Sequence, residues 1–428
     1  MKNIAIIGGG ISGIAAAYNA QLRRWNIDLY EADERIGGRI GCTELLGREV
    51  EFGGKNIGRR YRSFRQFAAA VGQIHYEEFG LNSSREVDGR VLRFNKDGSR
   101  LDTLRQLHVL CGVRGVAKLI PLAFAILRDR DQGFLDSPYF NGRGVGGDEK
   151  PLSEHFPSRC VEQFVRSLTV RMNAAEPEEC YIGNFGSNLG LVLERFEQIE
   201  GGMEKLLSRY QSQAQGIRWL TGRRVVSLLP DGRGVSVVSE GGEGPWQRSY
   251  DRVVVALPAT HAQALFLPRH QELAELLAKV KYFPVAVAIA RYPEKVFKAD
   301  QRAMVFGRES PLSNAGAYGV HDLDLVRYTF SGREARQVIG PDTQGSDALA
   351  LAERRIARYF PLEEGSSVGF VYRHMSTGLC AYSPHHHELL ERIRRAMPPG
   401  VSLTGDYWRG ASIEACFRSA EEMLARLS

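Results

Sequence analysis

Two glycine-rich runs near the N-terminus define the chemistry open to this chain. Gly8-Gly9-Gly10-Ile11-Ser12-Gly13 has the spacing G-x-G-x-x-G. Gly8 permits a tight turn, Gly10 lets the backbone approach a pyrophosphate, and Gly13 lets a helix lie close against a strand. The free N–H groups of the helix that opens at Ile11 and Ser12, at the positive end of its dipole, then face the phosphate oxygens. Glu31 follows at the distance where a carboxylate accepts from ribose hydroxyls, and an acid at this point disfavours a 2′-phosphate and hence NADP. The glycine run alone is a weak signal; with a strand before it, a helix after it and Glu31 in place it becomes specific. Directly after Glu31 and Ala32 comes a second pair, Gly37-Gly38, with Arg39. These add N–H groups and a guanidinium toward the pyrophosphate and the far end of a longer cofactor, which favours FAD over NAD.

The elements that must hold these residues are legible around them. Residues 3–7 (NIAII) form an apolar, β-branched run that stops at Gly8. Ile11 to Leu22 has the composition of a helix, and Ile27 to Glu31 that of a second strand, giving a β-turn-α-β unit of about 30 residues. Far downstream, Gly216 to Leu229 and Gly234 to Ser239 read as paired strands around Pro230-Asp231-Gly232. Tyr250 to Pro258 reads as another buried strand ended by proline. Val401 to Leu427 reads as a short strand, a Gly-Asp turn and an amphipathic helix. Residues 81–194 are mixed and largely helical, while 276–394 contain the strand-like Val285 to Ala290 and Ser367 to Tyr372.

The expected fold class is therefore α/β, with a Rossmann-like FAD-binding domain interleaved with a mixed α+β substrate domain. The first takes residues 1–80, 195–275 and 395–428, and the second 81–194 and 276–394. A chain of 428 residues is long enough for two cores. Its 43% hydrophobic and 25% charged residues are those of a globular protein. The net charge is +6, yet Lys and Arg are interleaved with Asp and Glu, so nucleic acid is not the expected partner. Six cysteines without a C-x-x-C pair, and no export signal ahead of the short run Ile4 to Ile7, suggest reduced thiols in a cytoplasmic protein. His385-His386-His387 point in different directions on a helix and cannot converge, so no metal site is expected. Val109 to Ile126 is apolar apart from Arg114 and Lys118. It is read as too charged to span a bilayer and more in keeping with a buried domain helix than with one resting on a membrane surface.

Together these motifs resemble the flavin superfamily of monoamine and polyamine oxidases, protoporphyrinogen oxidases and phytoene desaturases. Glu51-Phe52-Gly53-Gly54 resembles its flavin-proximal loop, and Gly201-Gly202-Met203 with Leu206-Leu207 its G-G-M-x-x-L element. The resemblance implies that Val225 lies in the strand that holds the adenine. It also implies that Asp406, in Leu403-Thr404-Gly405-Asp406, contacts the ribityl-phosphate region, and that an N–H near Ile413 faces the flavin pyrimidine. FAD is the implied cofactor. Many amine oxidases of the family carry a lysine on the strand after the Val-Pro turn; here that strand is Tyr282 to Ala290, with none. The run Gly405 to Cys416 resembles the protoporphyrinogen oxidase form of the C-terminal signature, with Asp406 in place of Asn.

The activity implied is an FAD-dependent oxidase or dehydrogenase. It takes hydride from a small, hydrophobic substrate with a C–N or activated C–C bond, and dioxygen is the expected acceptor. Lys55 and Arg59, read as one face of the helix after the flavin loop, are candidates to receive a substrate carboxylate, against the favoured reading of the basic cluster as a solvated helix face. Tyr407 and Trp408 are candidates for an aromatic wall, and His374 for a group near the substrate channel. Alternatives are an oxidase of small amines, a non-redox flavoenzyme of mutase type, and a flavin-bound binding protein without activity. Peripheral membrane contact is a further possibility.

Overall fold

A computed structural model describes residues 2–79, 83–94, 100–230, 234–242 and 244–427. The turn expected at Pro230-Asp231-Gly232 falls partly outside them. Its flanks, Arg224–Pro230 and Val235–Glu240, pair antiparallel.

Five short parallel strands form the sheet behind the glycine motif, in the order Ile217–Leu220, Asn26–Tyr30, Asn3–Ile7, Arg252–Val255, Val401–Leu403. Their two-residue side-chain alternation supplies two cores at once. Ile4, Ile6 and Val254 pack on one face against the helices Ile11–Leu22 and Ile413–Ala425. Ala5, Ile7, Val253 and Val255 pack on the other, against the antiparallel strands 224–250 and the helices Ala259–Phe266, Gln271–Ala278 and His386–Arg395. This is a three-layer, doubly covered sheet, assembled from segments hundreds of residues apart.

A second, mixed sheet has seven strands. Gly369–Ala381 lies at one edge, followed by Lys281–Arg291, Leu325–Phe330, Leu312–Ala317, Ala303–Val305, Ser83–Val87 and Arg90–Phe94. Alternation again divides the strand Lys281–Arg291, next to that edge. Ala286, Ala288 and Ala290 meet the helix Gly345–Ile356, while Val285, Val287 and Ile289 face Phe52, Leu45 and Tyr318. The second set of faces looks toward the glycine loops.

The helix Arg100–Arg128 differs from the buried helix expected of it. Asp102–Arg128 is long and apolar enough to cross a membrane by length and composition, despite Arg114 and Lys118. Gly112, at φ 65° and ψ 172°, breaks it. The piece from Val113 to Arg128 is about 24 Å long at ~1.5 Å per residue, short of the ~30 Å of a hydrocarbon core. Nor is the helix wholly buried. Val113 (71% exposed), Ile120 (56%), Phe124 (63%) and Leu127 (52%) form an outward stripe with Ala117.

Candidate functional site

The dinucleotide end is built by close backbone approach. The strand Asn3–Ile7 turns at Gly8, whose φ of 104° is open to glycine alone without strain. A Cβ on Gly13 would lie 1.8 Å from the Gly8 carbonyl oxygen, so the first helix turn can sit on the strand only with glycine there. Gly10 differs: a Cβ there would meet nothing within 4 Å. It caps the helix Ile11–Leu22 with no side chain bonded to the first N–H groups, leaving donors that open onto empty space and suit a pyrophosphate. Ser12 is buried in this first turn, with Ile11 half-buried beside it.

The Glu31 carboxylate accepts from the N–H of Gly9 (2.7 Å) and of Asp33 (2.9 Å). These bonds fix it over the turn at the end of the second strand. Past Ala32 the chain returns: Gly37 donates to the Gly9 carbonyl at 2.9 Å. A Cβ on Gly38 would lie 3.2 Å from the Cα of Gly10, so the two glycine pairs are stacked. Arg223 donates to the Glu31 carbonyl (2.8 Å) and Gly222 to that of Asp33 (3.0 Å), which brings the start of the strand carrying Val225 alongside.

At the other end, Arg39 reaches Asp406 (2.7 Å) and the carbonyl of Gly378 (3.0 Å). The Tyr282 hydroxyl donates to the second Asp406 oxygen at 2.6 Å, and burial with Asp406 alongside pushes that phenol well above its usual pKa. Asp406 opens a short helix after Gly405, and Ile413 begins the helix capped by the Ser412 hydroxyl. A Cβ on Gly53 would lie 2.3 Å from the Arg39 carbonyl oxygen, so the flavin-proximal loop crosses the Arg39 loop at van der Waals contact. Arg327 fixes it there by donating to the carbonyls of Phe52 and Gly53, both at 2.6 Å, with Gly54 exposed beyond. The open helix N-terminus at Gly10, the fixed Glu31 carboxylate and the Arg39–Asp406 pair form a donor and acceptor set that fits FAD from adenosine ribose to ribityl chain.

The candidates for catalysis separate. Lys55 and Arg59 do not share a helical face, because the helix begins only at Arg62 and Ile57–Gly58 pairs as a strand with Phe196–Glu197. Lys55 turns inward. Its ammonium lies 3.1 Å from the centre of the Tyr318 ring and donates to the Tyr318 carbonyl. Burial lowers its pKa well below that of a free lysine, opposed by nearby Glu51. Arg59 turns outward and pairs with Glu78 (2.8 Å) and Glu197 (3.0 Å). His374 is opposite Ala286 in the sheet, hence on the face covered by the helix Gly345–Ile356 and away from the glycine loops. Tyr407 and Trp408 belong to the core beneath the five-stranded sheet. His386 is buried, its Nε2 2.8 Å from the Tyr407 carbonyl; His385 caps that helix in the left-handed region.

Three groups have a positioning role that their sequence positions do not announce. Glu51 accepts from the Met203 N–H (2.7 Å) and from the Tyr318 hydroxyl, tying the G-G-M element to the flavin-proximal loop. Arg327 holds that loop from the seven-stranded sheet. Glu414, fully buried, accepts from the N–H groups of Ser63 (3.1 Å) and Phe64 (3.0 Å) and so caps the helix Arg62–Val71. Only for Glu51 was there a signal, its place beside Gly53-Gly54. A cavity of about 70 Å³ lies between Gly410–Ser412 and the helical segment, lined by Tyr61, Arg130, Met172 and Asn188.

The family model described as flavin containing amine oxidoreductase matches residues 11–423. A coproporphyrinogen III oxidase of Mycobacterium tuberculosis is 24% identical, over 98% of this chain and 96% of its own length. The crystal structure of a putative protoporphyrinogen oxidase from Exiguobacterium sp. 255-15 superposes with a TM-score of 0.72 at 19% identity, over 100% of this chain and 98% of the other. Cyclohexylamine oxidase from Brevibacterium oxydans IH-35A gives 0.75 at 17% identity, over the same shares.

Proposed function

Because this chain belongs to the flavin-containing amine oxidoreductase family and is an FAD-dependent oxidoreductase, we propose that it oxidises a hydrophobic, carboxylate-bearing macrocycle of the porphyrinogen class, with dioxygen as the acceptor. The observation that carries this reading is the sheet face turned to the flavin loops. Val285, Val287 and Ile289, buried against Leu45, Phe52 and Tyr318, back those loops with an apolar layer that carries no amine, while two of the cations near it, Lys55 and Arg327, are held by backbone carbonyls. A site backed by an apolar layer that presents no amine suits an apolar substrate better than a free ammonium group. The name borne by the full-length mycobacterial relative supports the same substrate class.

FAD held at this site would supply the hydride acceptor. Glu31 and the Arg39–Asp406 pair would hold its two ends, and the buried apolar strand face keeps the layer behind the flavin loops dry. The Tyr282 hydroxyl, raised in pKa by its burial beside Asp406, stays protonated and holds that carboxylate in orientation.

The test is peroxide release and porphyrin fluorescence on adding coproporphyrinogen III, beside a panel of mono-, di- and polyamines. Oxidation of the porphyrinogen with little amine turnover is expected. Efficient turnover of any amine would move the chain to the amine-oxidising branch, and an absence of peroxide with all of them would favour a non-redox or inactive flavoprotein.

Contact with an anionic bilayer surface is part of the proposal. Val113, Ala117, Ile120, Phe124 and Leu127 recur every three or four residues, and the exposed Arg114, Lys118 and Arg128 flank them. An apolar stripe beside a basic one complements an interface of acyl chains and acidic headgroups. The protein is expected to float with vesicles containing phosphatidylserine more than with phosphatidylcholine alone, and Phe124→Asp to abolish this. Wild-type protein left in the supernatant with both vesicles would refute it.

A further inference from the structure

The edge strand Gly369–Ala381 runs antiparallel to Lys281–Arg291, with Arg373 opposite Val287 and Met375 opposite Val285. Residues directly opposite across two strands share a face. Arg373 therefore emerges on the apolar wall of Val285, Val287 and Ile289, whereas Tyr372 and His374 point to the helix Gly345–Ile356. Its guanidinium reaches the glycine loops: Nη1 lies 3.8 Å from where a Cβ of Gly41 would stand, two residues beyond Arg39.

The other arginines of this region are committed. Arg39 is paired with Asp406, Arg327 with the carbonyls of Phe52 and Gly53, and Arg48 with Asp322. Arg373 is half-buried, and among the described residues no hydrogen bond or ion pair engages it. A guanidinium carries five N–H donors in a fixed fork that matches a carboxylate. With no protein acceptor engaged, that fork is available to an anion arriving from solvent.

We propose that Arg373 is the substrate's carboxylate receptor, taking one carboxylate in two parallel N–H···O bonds at the edge of the buried face of Val285, Val287 and Ile289, beside the loop that carries Arg39 and Gly41. This rests on the reading of the site as one for a carboxylate-bearing substrate. It replaces the role expected of Arg59, which is bound to Glu78 and Glu197.

The test uses the oxidised holoenzyme and ligands that cannot donate hydride. Coproporphyrin III and its tetramethyl ester are titrated against wild type, Arg373→Met and Arg373→Lys, following porphyrin fluorescence and the flavin absorbance band. Wild type should favour the acid, and Arg373→Met should lose roughly ten- to a hundred-fold in affinity for the acid with the ester unaffected. Arg373→Lys should fall between, since it keeps the charge and loses the fork. Flavin content should be the same in all three. Equal losses for acid and ester, no loss at all, or reduced flavin occupancy would each overturn the assignment.

Benzoate against benzamide, read at the flavin band, separates this from the reading of the reaction. A preference for the anion that Arg373→Met abolishes upholds the receptor even if porphyrinogens are not oxidised. Porphyrinogen turnover with no effect of Arg373→Met on the Michaelis constant, and no anion preference, would sink the receptor and leave the reaction standing.

Discussion

Gly10 and Gly13 occupy the same short motif but answer to different physics. A side chain at Gly10 meets no protein atom, so Gly10→Val should fold and place its methyls where the pyrophosphate belongs. We expect FAD content to fall by at least about tenfold, with the melting temperature of the apoprotein within a few degrees of wild type. Gly13→Val would strike the Gly8 carbonyl and should unfold the nucleotide domain itself. Visible absorbance and circular dichroism on the two variants separate the cases; a Gly10→Val protein with full flavin would show that the pyrophosphate lies elsewhere. The glycine motif was legible in the sequence because its spacing encodes backbone contacts within one turn. The inward path of Lys55 was not, since it depends on Tyr318, 263 positions away.

Elements show where local pattern stops being informative. The basic residues after Gly54 invite a helix, but Arg59 donates its N–H to the Arg195 carbonyl, and Glu414 caps the helix only from Ser63 onward. A cap supplied by a residue 351 positions on leaves no mark in the segment it terminates. The His386–Arg395 helix offers a pH test of the same kind of long-range tie. Burial lowers the His386 pKa to about 4 from 6.5, so the folded protein holds the ring neutral against the Tyr407 carbonyl. This contribution is complete above pH 6.5 and is lost as pH falls toward 4, at up to about 1.4 kcal/mol per pH unit. Urea unfolding at pH 7 and pH 5 should show it, and His386→Leu should flatten the difference. An unchanged pH slope in that variant would remove His386 as the cause.

At the scale of the molecule, the α/β class followed from periodicity, while the ties between layers did not. Arg166 and Glu176 form a pair that is 4% and 1% exposed, and Glu176 also accepts from the Arg333 N–H at 2.9 Å, joining the helical segment to the seven-stranded sheet's side. Glu176→Ala would strand a buried guanidinium, and a loss of about 3–5 kcal/mol is expected. Calorimetry should show a lower transition, with flavin content at 20 °C retained. A loss below about 1 kcal/mol would mean that water reaches Arg166. Neither residue stands out in the sequence, because a buried ion pair has no periodicity.

The order in which the five parallel strands occur along the chain has a biosynthetic consequence. Asn3–Ile7 and the glycine turn leave the ribosome before the other four strands of their sheet, yet their neighbour Arg252–Val255 follows some 250 residues later, and Val401–Leu403 with Asp406 later still. For most of translation the phosphate-binding turn is therefore attached to a sheet that cannot close, and its apolar edge needs shielding from other chains. The seven-stranded sheet, whose strands all lie between residues 83 and 381, can form earlier. Flavin acquisition is then expected to come late in folding, and flavin-starved cells should accumulate chains with the second sheet formed and the first one open to proteases.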